Sequence, residues 1–395
     1  MVPSRRIRSV EKSKTLAITD KAKALKRKGI DVVSLSAGEP DFDTPAHVKE
    51  AAIAAIEEGF TKYTASTGIP ELRQAVADKL NREAGAEYSA ENVLVTCGGK
   101  HAIFSSVLAL CDPGDEVLIV SPHWVSYPEM AKLAGATPRF VQVREENGFH
   151  VEAADLEKAI SPRTKLLIFN NPTNPTGAVY GRERLGELVS VLARTDAYVI
   201  SDEIYGKIVY DDVAYVSLAS FPEIRDRVLV VDGVSKAYAM TGWRIGFLVA
   251  SKPVAEAVAK VVGHSTSNAT SVSQKAALAA LTGDQSCVTE MRREFDRRRR
   301  YVCERLAAIP DVRCTLPEGA FYVFPDVSAY LGQQDGPADS FALCDRLLES
   351  EHVAVVPGGA FGMEGHIRIS YASSMEQLER GLDRIEAGLA ALRRA

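Results

Sequence analysis

Six short apolar runs constrain this chain most. They occupy residues 93–95, 117–120, 166–169, 198–200, 228–231 and 245–250. Most lack the polar alternation of a half-exposed strand, as strands buried on both faces do. Helical stretches such as 181–194 separate several of them. That order predicts βαβ units and an α/β fold, a mostly parallel sheet covered by helices on both faces. At 395 residues there is room for a second unit. The C-terminal third reads as one, with a long charged helix over 286–309, short strands in GAFYVF and GHIRISYA, and helices over 339–350 and 375–393. Residues 15–30 read as a helix ending at Gly29. The expected division is a large domain over 45–285. Residues 1–44 with 286–395 form a smaller α+β domain and its N-terminal segment.

Charge and composition remove several function classes. With 47 Lys and Arg against 52 Asp and Glu, the net charge is −5, which gives no general attraction to nucleic acid. No apolar run reaches the roughly 18 residues of a membrane span, and the N-terminus lacks the apolar segment of a secretory signal. Cys97, Cys111, Cys287, Cys303, Cys314 and Cys344 form no CxxC pair, so no zinc or redox motif is signalled and a reducing cytoplasm is expected. Residues 1–28 carry ten Lys and Arg, and 297–300 are four consecutive arginines. Both clusters read as solvated helix faces. Four consecutive residues spread around a helix axis, and Glu290, Glu294, Asp296 and Glu304 offer i,i+4 partners. His101, His123 and His264 have no metal-ligand spacing, and no stretch matches GxGxxG. No metal is expected.

The chemistry lies directly after the runs, where open α/β sheets place their ligands. After 93–96 comes Cys97-Gly98-Gly99-Lys100-His101 and a helix pattern; after 117–120, Ser-Pro-His-Trp124; after 166–169, NNPTNPTG; after 198–200, Ser-Asp202-Glu-Ile-Tyr205; after 228–231, Asp-Gly-Val-Ser235-Lys236, with Arg244 eight residues on. Gly98 and Gly99 opening a helix offer backbone N–H groups to a phosphate, and Ser235 and Arg244 complete such a cup. Trp124 offers a flat face to an aromatic ring. Asp202 suits a protonated ring nitrogen, and Asn174 and Tyr205 suit a ring oxygen. Lys236 can form a Schiff base with a carbonyl. One ligand uses all of these: pyridoxal 5′-phosphate.

The strings SAGEPDFDTP, KYTASTGIPELR, PHWVSYPEM, NNPTNPTGAVY, VISDEIY, GVSKAYAMTGWRIG and GHIRISYA span residues 36–372. As a set they resemble the class I aminotransferases of the aspartate aminotransferase family, closest to the bacterial subgroup with Gly-Gly-Lys in the phosphate loop. The resemblance implies PLP fold type I and a homodimer with shared active sites. It makes Lys236 the cofactor-bearing lysine, Asp202 the partner of the pyridine nitrogen, and Asn174 with Tyr205 the partners of the ring oxygen. Gly99, Lys100, Trp124, Ser235 and Arg244 join them around the cofactor. Tyr63 resembles a tyrosine that reaches the neighbouring subunit's cofactor phosphate. Arg368 resembles the arginine that takes the substrate α-carboxylate, assisted by Asn174, Trp124 and the Gly38 backbone. Asn170 and Asn171 read as turn residues.

One departure stands out. Other members of the family draw an arginine for the distal carboxylate from the segment after the large domain's last strand, and residues 251–291 contain none. In the Gly-Gly-Lys branch the loop lysine resembles the substitute, which is Lys100 here. Lys12, Ser13 and Thr15 are expected to close over the same pocket. The expected activity is amino transfer between aspartate or glutamate and 2-oxo acids, with prephenate as an acceptor in some members. An aromatic aminotransferase and a C–S β-lyase on the same fold stay open. A PLP-binding regulator is not expected, because only some 30 residues precede SAGEPDF in this sequence, few for a helix-turn-helix domain. Amino acids and 2-oxo acids are the expected small-molecule partners, with neither nucleic acid nor membrane.

Overall fold

A computed structural model describes residues 3–11, 14–333 and 336–393. Its centre is a seven-stranded sheet of β2 (Val93–Thr96), β3 (Glu116–Ser121), β4 (Thr137–Gln142), β5 (Thr164–Asn170), β6 (Tyr198–Asp202), β7 (Val228–Gly233) and β8 (Gly246–Val249). The order across the sheet is β2-β8-β7-β6-β5-β3-β4. All pairs are parallel except those of β8, which runs antiparallel to both β2 and β7.

The absence of alternation in these runs has a direct structural counterpart. Leu167 and Phe169 of β5 face one core while Leu166 and Ile168 face another, and all four are buried. In β7, Val228 and Val230 oppose Leu229 and Val231 in the same way. Successive strand side chains point to opposite faces, so a strand sandwiched between helix layers must be apolar throughout. Helices Gly99–Leu110, Ser126–Ala134 and Lys252–Ser265 cover one face. Pro70–Ala84, Arg182–Leu192 and Ser271–Thr282 cover the other.

A further core lies around a three-stranded antiparallel sheet. Its strands are β9 (Tyr322–Val323), β11 (Val356–Pro357) and β12 (Ile367–Ser370), in the order β11-β12-β9. A parallel pair, β1 (Val33–Ser34) with β10 (Val353–Ala354), ties the N-terminal segment to it. The long helix Ser286–Ala307 turns Met291, Phe295, Val302 and Leu306 into this core, packed against helix Met375–Arg393, and helix Ser340–Ser350 contributes to the same core. The helix expected over 15–30 runs Lys14–Arg27, with Gly29 following at a positive φ. No helix among the described residues is long and apolar enough to cross a membrane.

Two of the features that differ from the sequence reading are strand β4 and the arginine run. Strand β4 has no counterpart in that reading, because as an edge strand it exposes most of its residues, Phe140 included, and carries Pro138. The arginine run at 297–300 is a solvated face only at Arg297 and Arg300. Its i,i+3 and i,i+4 ion pairs with Glu294 and Asp296 form, but Arg298 and Arg299 are buried. Arg299 donates to the Pro317 carbonyl at 2.7 Å, pairs with Asp211 at 2.6 Å and Asp296 at 2.5 Å, and lies over the Tyr210 ring. Arg298 pairs with Asp41 at 2.7 Å and lies against Phe42, fastening the N-terminal segment to the long helix. An unpaired buried guanidinium would cost several kcal/mol, so this burial depends on those acids.

Candidate active site

The carboxyl ends of β2, β5, β6 and β7 open on one cavity of about 570 Å³, within the usual range for a small-molecule site. Gly38, Gly99, Lys100, Trp124, Asn174, Asp202, Tyr205, Ser235, Lys236, Arg244 and Arg368 all line it. The topology explains this convergence. Parallel neighbours end on the same side, so the first residues after each strand meet there whatever their separation in sequence.

Lys236 follows β7. Its Nζ donates to the Gly38 carbonyl at 2.5 Å, and burial pushes the amine down to about 8. A substantial neutral fraction near neutral pH makes it a competent nucleophile and base. Asp202, the last residue of β6, is buried and pushed up to about 6 by desolvation. Opposing that shift, Tyr127 Oη donates to Asp202 Oδ2 at 2.6 Å, and the Ile204 N–H donates to Oδ1 at 3.3 Å.

The loop after β5 is buried from Asn170 through Gly177. Asn170 Nδ2 donates to the Asp202 carbonyl at 2.8 Å, and its Oδ1 accepts from the Asn174 N–H at 2.8 Å. Asn170 therefore does more than turn the chain: it braces Asn174 against β6 and itself lines the cavity. Asn171 fits the turn role, accepting from the Tyr180 N–H at 3.0 Å. Asn174 Oδ1 in turn accepts from Arg368 Nη1 at 3.1 Å. Arg368 Nη2 donates to the Ser36 carbonyl at 2.7 Å, and the guanidinium lies against the Tyr322 and Phe361 rings. Its Nε has no hydrogen-bond partner. A buried guanidinium with an unused donor and no acid partner among the described residues is prepared for an anion.

At the opposite wall, helix Gly99–Leu110 begins after Gly98 at φ +85°, and no side chain caps it. A Cβ on Gly98 would sit 2.5 Å from Arg244 Nη2, so the glycine lets the guanidinium lie against the loop. Arg244 itself has φ 56°, a left-handed backbone held by Nη1 donating to the Thr241 carbonyl at 2.8 Å. Lys100 lies with its ammonium 4.8 Å from the Trp124 ring centroid and has no ion-pair partner among the described residues. Burial lowers its pKa, and the Arg244 charge adds to that.

This set fits pyridoxal 5′-phosphate on its own chemistry. An uncapped helix start with an arginine and Ser235 suits a phosphate. A buried carboxylate suits a pyridinium nitrogen, a flat indole suits a ring, and a depressed lysine suits an aldehyde.

The remaining sequence candidates are not among the wall residues described. Tyr63 is 90% exposed and is not on the cavity wall. Lys12 and Ser13 lie outside the described residues, and Thr15 lies in helix Lys14–Arg27. His123 is buried and held near 4 by desolvation. Glu145, Asp326 and His366 bring ligand-type atoms within 4.8 Å of one another, but Arg313 already lies beside both carboxylates.

Among the wall residues absent from the sequence reading are Tyr127 and Tyr322. Tyr127 carried a usable signal. It follows Trp124 by three residues at a helix start, the spacing that puts two side chains on one face.

The profile of the family Aminotransferase class I and II matches residues 30–385. The chain is 47% identical over 384 residues to a probable aspartate/prephenate aminotransferase of Rhizobium leguminosarum bv. phaseoli, covering 95% of this chain and 96% of the relative. It is 44% identical over 386 residues to an aspartate aminotransferase of Geobacillus stearothermophilus, covering 97% of each. Among solved structures it is similar to the aspartate aminotransferase of Rhizobium meliloti, with TM-score 0.95, 42% identity and 99% of each chain covered. It is also similar to that of Thermus thermophilus with maleate, with TM-score 0.93, 43% identity, and 98% and 100% covered.

Proposed function

The chain belongs to the class I and II aminotransferases, and on that premise we propose that it moves the amino group of aspartate or glutamate to a 2-oxo acid, with prephenate as a further acceptor. One observation carries the reading. A depressed lysine and a buried carboxylate share a cavity with two cations, Arg368 and Lys100, neither of which has an acid partner among the described residues. A dicarboxylic amino acid offers one carboxylate to each, and burying either unpaired would be costly. The related Thermus thermophilus enzyme is recorded with maleate, itself a dicarboxylate.

When bound, pyridoxal 5′-phosphate supplies an aldehyde that joins amines and a ring that accepts the charge developing at the substrate's Cα. The protein's groups then divide the work. Gly99, Ser235 and Arg244 hold the phosphate, and Trp124 covers the ring. Asp202, ionised and fixed by Tyr127, keeps the ring nitrogen protonated. Tyr205 and Asn174 fix the ring oxygen. Arg368 takes the α-carboxylate bidentately, which orients Cα. Lys236 Nζ, as a neutral amine, would take the proton from Cα and deliver it to the carbon that the cofactor's aldehyde supplies.

The specificity part of the reading rests on Lys100. Lys100→Ala is expected to lower kcat/KM for aspartate and glutamate by about 1.5–3 kcal/mol, the scale of a charge-assisted hydrogen bond. Alanine and phenylalanine should change much less. Steady-state kinetics with a common acceptor separate the cases, and an equal fall for every substrate would assign Lys100 to the cofactor phosphate instead.

The proposed assembly is a two-fold dimer with shared sites. Helix Ala46–Glu57 exposes Ile53 and Ile56, a few residues before the exposed Tyr63. Tyr63 can serve a cofactor only across such an interface, and two-fold symmetry makes the contribution reciprocal. Sedimentation should give twice the chain mass at assay concentrations. A fully active monomer would refute the shared site.

A further inference from the structure

We infer that Tyr322 is a positioning residue of this cavity: its hydroxyl sets the direction of the Tyr205 proton, and its ring backs the Arg368 guanidinium. The inference rests on the aminotransferase reading and adds to it a residue with no role so far.

The strand register brings these groups together. Tyr322 of β9 pairs with Ser370 of β12, so Arg368, two residues back on β12, lies on the same face as Tyr322. Its ring centroid is 4.4 Å from the guanidinium carbon. Its hydroxyl lies 2.9 Å from that of Tyr205, a residue that reaches the cavity from the end of β6. On a third side the N-terminal segment presses in, where a Cβ on Gly38 would sit 2.7 Å from Tyr322 Oη. Tyr322 is 1% exposed, so this hydroxyl has little access to water. One side chain thus touches the group proposed for the ring oxygen, the group proposed for the α-carboxylate, and the segment whose carbonyl holds Lys236.

A phenol carries one proton. If Tyr205 donates to Tyr322, that proton lies between the two rings and is not available to the cavity. If Tyr322 donates to Tyr205, the Tyr205 proton points inward. The surroundings favour the second arrangement. Burial raises the pKa of both phenols, and Arg368 works against the rise in both. The guanidinium lies directly over the Tyr322 ring, where it is the largest opposing influence, whereas at Tyr205, raised well above the usual range, the Asp202 charge adds to the rise. The more acidic phenol is the better donor. An acceptor oxygen in the cavity then completes a chain from Tyr322 through Tyr205, in which each bond strengthens the next.

The test is the absorbance titration of the lysine-bound chromophore in purified holoenzyme, read beside KM for aspartate. An inward hydroxyl proton stabilises negative charge on the oxygen it faces, so the chromophore holds its own proton less tightly. Tyr322→Phe removes that orientation and keeps the ring. Its midpoint should rise by about half to one pH unit, the scale of one hydrogen bond, with KM within about twofold of wild type. Tyr322→Leu removes the ring as well and should also raise KM by roughly tenfold. Tyr210→Phe is the control. It deletes another buried hydroxyl, one that donates to the Ala320 carbonyl outside the cavity wall, and should move neither reading. An unmoved midpoint in Tyr322→Phe, or an equal shift in Tyr210→Phe, overturns the inference and leaves the aminotransferase reading standing. A wild-type protein that forms no visible chromophore with the cofactor overturns both.

Discussion

Lys236→Ala should fold normally and lose transamination by roughly four orders of magnitude, the upper end of what a positioned general base contributes. The substitution removes the amine that joins the cofactor and the base that moves the Cα proton. The structural cost is small by comparison. It leaves the Gly38 carbonyl without its donor, worth about 1–3 kcal/mol, and relieves the protein of a buried ammonium. Thermal unfolding should therefore show a cooperative transition near that of wild type while the visible absorbance of the lysine-bound cofactor is gone. The same amine gives a pH signature in ligand-free protein. Burial holds it near 8, and only the neutral form attacks an aldehyde, so the rate of cofactor uptake should rise with pH and level off above about 8. A borohydride-reducible chromophore surviving in Lys236→Ala would remove Lys236 from this role.

Asp202→Asn is expected to retain cofactor and lose roughly two to three orders of magnitude in the single-turnover half-reaction, the scale of one preorganised electrostatic contact in a water-poor site. The amide keeps the shape and can still accept from Tyr127, so the loss isolates the charge. An ionised carboxylate favours the protonated ring nitrogen, and a neutral amide does not. The sign with pH follows from the raised carboxyl. In ligand-free protein the group is charged above about 6 and neutral below it, so tight cofactor binding should weaken as pH falls through that value in wild type and lose this dependence in Asp202→Asn. Near-wild-type half-reaction rates in the variant would show that the ring nitrogen needs no anion here.

Much of the site was legible because a parallel sheet converts sequence position into spatial position. The buried runs other than 245–250 end on the same side, so the residues after 95, 169, 200 and 231 meet there, and their chemistry sums to one site. Arg368 was legible only through resemblance, since a lone arginine in a short strand has no local signal. Tyr322 sits in GAFYVF, where nothing distinguishes it from Phe321 and Phe324. Its role depends on the register between β9 and β12, which local pattern does not carry. Arg298 and Arg299 were misread for a related reason. Helical phase places two of four consecutive residues inward, but the acids that make burial tolerable, Asp41 and Asp211, are far away in sequence. Strand β4 escaped because an edge strand need not be apolar.

The central claim is that this cavity moves nitrogen between carbon skeletons rather than releasing it. The direct measurement is the fate of isotope-labelled nitrogen from aspartate incubated with holoenzyme and 2-oxoglutarate. The account predicts labelled glutamate formed in step with oxaloacetate, no free ammonia, and no turnover beyond one equivalent of enzyme when the 2-oxo acid is left out. Ammonia released continuously without an acceptor, or glutamate that never carries the label, would contradict it.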